Sequence, residues 1–80
     1  MPRYAPAVLD ALAAHGLVPR PETPPRLLRD AVNGLYRYEI RRLRDRCRAG
    51  EFTSSALSGH VRTLRRRYLL LSTPLEHWTE

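Results

Sequence analysis

Fourteen of the 80 residues are arginine and none is lysine. A guanidinium stays charged at any physiological pH and presents a planar fork of donors that fits phosphate and carboxylate oxygens. Arg26, Arg37, Arg41, Arg44 and Arg48 recur at helical spacing and fall within about 60° of one another on a wheel, forming one basic stripe. Residues 26–50 carry eight arginines against three acids, a net +5, whereas residues 1–25 are neutral and residues 51–80 carry +1. Arg37, Arg41, Arg44 and Arg48 span about 16 Å of helix, enough to follow a phosphate backbone, and Arg62, Arg65 and Arg66 offer a second contact line. Two plainer readings stand beside this one. The absence of Lys and Gln points to a GC-rich codon bias, and Asp30 and Asp45 stand at helical spacing for ion pairs with Arg26, Arg41 and Arg48.

Other residues with chemical potential combine less well. Tyr36 and Tyr38 interleave with the arginines, as in single-strand stacking platforms, but their wheel positions fall in the apolar stripe and on its flank, where packing is the expected role. Cys47, His15, His60 and His77 lack the spacing of structural zinc sites, and Cys47 lies in the apolar stripe. Ser58 and His60, two apart on a helix, point to different sides. No nucleophile elbow, phosphate-binding glycine loop or paired carboxylates occur, and a bundle of this size leaves little room for a pocket of about 300 Å³. The expectation is a non-enzymatic protein without cofactor, metal or small-molecule substrate. Thr53, Ser54 and Ser55 cannot make the bidentate base contacts of a sequence-specific DNA reader.

The elements that position these residues are helices. Gly and Pro punctuation divides the chain into helices at about 5–15, 24–49 and 53–72, a Pro-rich connector at 17–25 and a short helical tail at 73–80, with no alternating strand pattern. The fold class is all-α, a small three-helix bundle in one domain. Gly16 suits a left-handed C-cap with Leu17 packing back, and Thr23-Pro24 suits a helix start. Thr53 suits an N-cap, with Phe52 and Leu57 at staple spacing; Thr73 to Glu76 matches a capping box. Val32, Tyr36, Ile40, Leu43 and Cys47 form the stripe of the long helix. Leu27, Leu28, Ala31, Leu35 and Tyr38 broaden its first half, which should receive more neighbours there. Leu57, Val61, Leu64, Tyr68 and Leu71 form a narrow seam for one antiparallel partner. About 25 residues of helix outreach a compact 80-residue core, so the Gly50 end should protrude.

Leu69 and Leu70 lie off the seam, and Trp78 sits in a tail able to fold back over them. These three residues are the expected association surface, for a homo-oligomer or a larger protein partner. A small non-enzymatic interaction or oligomerisation module is the first expectation. Non-specific nucleic-acid or other polyanion binding through Arg37, Arg41, Arg44, Arg48, Arg62 and Arg66 is the second. One cysteine, no apolar run of membrane-spanning length and no apolar leader near Asp10 place the expectation in the cytoplasm.

Overall fold

The computed structural model describes residues 3–80. The described chain is all-α: α1 spans Pro6–Ala14, α2 spans Pro25–Arg48, and α3 spans Ser54–Arg67. Two short 3-10 turns follow, Leu69–Ser72 and Leu75–His77. α1 starts on Pro6, whose missing amide hydrogen costs nothing in a first turn. It ends at Gly16, whose φ of 78° is open to glycine at no steric cost. Leu17 closes this end by donating its N–H to the Leu12 carbonyl at 2.9 Å and packing on the core.

Thr23 does not cap α2. Pro24 takes the N-cap position, and Thr23 instead braces the connector: its Oγ1 accepts from the Arg20 N–H at 3.0 Å, and its carbonyl accepts from the Tyr4 hydroxyl at 2.6 Å. Thr53 caps α3 as expected, accepting from the Ala56 N–H at 3.2 Å. α3 stops at Arg67 rather than at Ser72, because Tyr68 leaves helical geometry (φ −115°, ψ 40°) and the chain tightens into a 3-10 turn. At three residues per turn the side chains are re-aimed. Leu70 therefore turns inward to 6% exposure, while Leu69 points out at 65%.

The core consists of Tyr4, Val8, Leu12, Leu28, Val32, Leu64, Tyr68, Leu70 and Trp78. Leu70 and Trp78 thus belong to the interior and not to an association surface; of the three expected residues only Leu69 remains exposed. Trp78 is held by its Nε1–H, which donates to the Thr73 carbonyl at 3.2 Å, and by its own carbonyl, which accepts from the Ala5 N–H at 3.0 Å. Tyr4 and Thr79 form an antiparallel bridge, so the two chain ends close over the same core. Thr73 makes no capping box; its hydroxyl donates back to the Leu69 carbonyl at 3.2 Å.

Apart from Leu64, which lies beside Glu39 and Leu43, these core residues gather toward the Pro25 end of α2. Around Gly50 the apolar stripes of α2 and α3, including Leu43, Cys47, Leu57 and Val61, are only half-buried. The molecule measures 48 × 16 × 15 Å, and its radius of gyration of 14.9 Å exceeds the roughly 12 Å of a compact chain of this length. Its accessible surface of 5961 Å² likewise exceeds the roughly 5,000 Å² usual for this mass. The broad apolar flank of α2 is not covered: α1 and the tail dock over Leu28 and Val32, leaving Leu27, Leu35 and Tyr38 exposed.

Candidate nucleic-acid interface

Arg37, Arg41 and Arg44 project from the flank of α2 beside its buried stripe, and all three are exposed. Together with Tyr36 and Ile40 they line a shallow groove. Arg62, Arg65 and Arg66, also exposed, line a second groove with Tyr36, Tyr68, Leu69 and Leu71. Tyr36 borders both. The antiparallel packing of α2 on α3 therefore sets two rows of guanidinium groups on either side of one half-buried aromatic floor. Arg48 is exposed near the Gly50 turn and lines neither groove. Arg26 lies at the opposite end, in a depression with Pro24, Leu27, Leu75 and Glu76, so the five arginines of the sequence stripe do not act as one row.

The electrostatics depart from the plain reading of the stripe. Among the described residues one ion pair forms, Arg46 with Glu51 at 3.3 Å. Asp30 and Asp45 do not close onto Arg26, Arg41 or Arg48. Arg37, Arg41, Arg44, Arg48, Arg62, Arg65 and Arg66 have no side-chain hydrogen bond or ion pair within the described chain. Each therefore has five N–H donors without a partner among the described residues. Neighbouring like charges along a helix are mildly destabilising.

Tyr36 meets the Tyr68 ring edge-on at 5.3 Å and is a packing residue with one edge in the groove. Tyr38 lies on the other flank, with the Arg42 guanidinium 6.0 Å from its ring. Tyr68 stacks on His15 at 4.4 Å and donates its hydroxyl to Glu39. Burial, then the Glu39 hydrogen bond and charge, push the Tyr68 hydroxyl up to about 12 against the opposing pull of Arg67.

No group of three His, Cys, Asp or Glu side chains gathers at metal-binding distance among the described residues. The Ser58 hydroxyl donates to the Ser55 carbonyl, and His60 packs on Phe52 at 4.4 Å, so the two share no site. Surface depressions are larger than the chain length suggested, reaching about 560 Å³ between Pro24, Leu27 and Leu75, but they are open to solvent. No helix among the described residues is long and apolar enough to cross a membrane. No family model, curated protein or solved structure matches the chain.

Signals for the two-row arrangement were partly present in the sequence. The α2 row follows from helical spacing; the role of Tyr36 as the floor between rows depends on which α3 face packs against it, which one helix's wheel does not show.

Proposed function

We propose that the protein is a non-enzymatic helical module that binds nucleic acid through its phosphate backbone, without reading base sequence. The observation that carries this is the pair of unneutralised arginine rows, Arg37, Arg41 and Arg44 facing Arg62, Arg65 and Arg66 across Tyr36. Guanidinium forks pair with phosphate oxygens and release condensed counterions, which makes such binding strong at low salt and weak at high salt. The grooves offer no Asn or Gln for bidentate pairing with adenine; their arginine forks fit phosphate oxygens and guanine edges alike, and the comparison among sequences separates the two modes. Binding of labelled duplex and single-stranded oligonucleotides, followed by anisotropy across a salt series, tests the proposal. A steep log-log salt dependence with little preference among sequences supports it, and absence of binding at low-millimolar ionic strength refutes it.

Association with another protein is the second reading. It draws on the uncovered α2 flank, where Leu27 (62%), Leu35 (37%) and Tyr38 (57%) are exposed on one side of the helix, rather than on Leu70 and Trp78. Sedimentation across a concentration series separates this reading from the first, since self-association needs no anion. A single free thiol, Cys47, fits work in a reducing compartment such as the cytoplasm.

A further inference from the structure

On the opposite side of the α2–α3 seam from Tyr36, a second basic constellation has no part in the reading above. Arg42 and Arg46 from α2, and His60, Thr63 and Arg67 from α3, line one cleft with Glu39 at its inner end. The cleft holds about 250 Å³, room for a small group, and opens to solvent beside a larger depression that shares Glu39, Arg42 and Arg67. We infer that this cleft binds a single phosphoryl dianion, either free phosphate or the phosphoryl end of a phosphomonoester.

Three arginines from two helices line it, so a tetrahedral oxyanion seated there has guanidinium donors available from both sides. Two of them are oriented before any ligand arrives. The Arg42 guanidinium lies 6.0 Å from the Tyr38 ring, and that of Arg46 lies 5.5 Å from the Phe52 ring while its Nε–H donates to Glu51 at 3.3 Å. Phe52 is itself packed against His60, so one aromatic contact ties the α2 side of the cleft to the α3 side. Two carboxylates temper the site. Glu51 occupies Arg46, and Glu39, engaged by the Tyr68 hydroxyl, leaves its negative charge at the inner end. Three guanidinium groups against two carboxylates give a local net charge of +1 from these groups, enough to attract a dianion yet sensitive to either acid.

That sensitivity supplies a test with opposite signs. The intact chain is titrated with inorganic phosphate and, separately, with O-phosphoserine at constant ionic strength, following backbone amides by NMR. Saturable shifts around Arg42, Arg46, His60 and Arg67 are expected. Arg42→Gln or Arg67→Gln should weaken binding about tenfold or more, the loss of one charge-assisted bidentate contact. Glu39→Gln should tighten it about threefold, by removing a unit charge near the dianion in a largely aqueous dielectric. Glu51→Gln, at the exposed turn, should also tighten it and serves if Glu39→Gln disturbs folding, as judged by circular dichroism. Paired substitution of Arg3 and Arg20 by Gln, exposed residues that line neither the cleft nor the Tyr36 grooves, should leave phosphate binding within about twofold. Binding of both probes identifies the phosphoryl group as the ligand, and binding of phosphate alone identifies the free ion. Non-saturating shifts overturn the inference, as does an equal loss from the Arg3 and Arg20 substitution, or failure of both Glu variants to tighten binding. None of these results touches the nucleic-acid reading, which is measured with different variants on the other face.

Discussion

Replacing Trp78 with alanine removes the largest fully buried side chain in the core, where the tail packs against α2 and is bonded to the N-terminal segment at Ala5. A buried aromatic of this class removes about 150–250 Å² from water, worth about 4–6 kcal/mol at 25 cal/mol per Å². Measured truncations of large aromatics run at about 3–5 kcal/mol, and the lost Nε1–H hydrogen bond to Thr73 lies within that range. Eighty residues at 0.05–0.15 kcal/mol each give a total stability of about 4–12 kcal/mol. Trp78→Ala therefore consumes about a quarter or more of the stability and can leave the chain largely unfolded. Trp78→Phe keeps most of the apolar volume but gives up the hydrogen bond and part of the ring, a cost of about 1–3 kcal/mol. Urea denaturation followed by far-UV circular dichroism measures both. A change below about 0.5 kcal/mol in Trp78→Ala would place the indole on the surface and refute the closure of the core by the tail.

Two further predictions concern the backbone and the tyrosines. Gly34 lies inside α2 with open space around it, so Gly34→Ala should stabilise the protein by about 0.5–1 kcal/mol, whereas Gly50→Ala, at φ 84°, should cost about 1–2 kcal/mol; thermal denaturation of the two variants should show shifts of opposite sign. Tyr68, pushed up to about 12, and Tyr4, raised by burial, should ionise later than an ordinary tyrosine in an ultraviolet pH titration. Because the folded form of Tyr68 holds its proton more tightly than the unfolded chain, its contribution to stability is complete below about pH 10 and disappears as pH rises toward about 12. Glu39→Gln should move that ionisation downward, since the hydrogen bond and charge of Glu39 both favour the protonated phenol.

Local signals translated well from sequence to structure where one residue type decides the backbone. Gly16 and Gly50 stop helices at positive φ, and Thr53 supplies its oxygen to the first turn of α3. The protruding hairpin was legible because helix length and chain length together exclude a sphere. The tail was harder. Leu70 looks surface-directed on a continuous α-helical wheel, and only the break at Tyr68 turns it inward. Leu27, Leu35 and Tyr38 read as core because apolar width implies neighbours, yet two short elements cannot cover the full flank of α2. Thr23 resembled a cap until Tyr4, nineteen residues away, claimed its carbonyl. The arginines divide in the same way. Their α2 row appears in the spacing, but the facing α3 row and the Arg42, Arg46 and Arg67 cleft exist only once the two helices pack in register.

The most direct test of the central claim reverses Arg41 and Arg44 to Glu and measures oligonucleotide affinity at about 50 and about 200 mM salt. If five phosphates are engaged, the parent protein should show a duplex log-log slope of about −4.5 and lose about 10²–10³-fold in affinity across that interval. The double reversal should lower the slope by about 2 and weaken binding alike on every sequence, because phosphate contacts carry no base information. Reversing Arg3 and Arg20, exposed residues away from the Tyr36 face, changes the net charge equally, from +6 to +2, and should leave the slope near that of the parent. An equal loss of affinity and slope in the two double variants would show that net charge alone drives binding, and would contradict the assignment of the Tyr36 face.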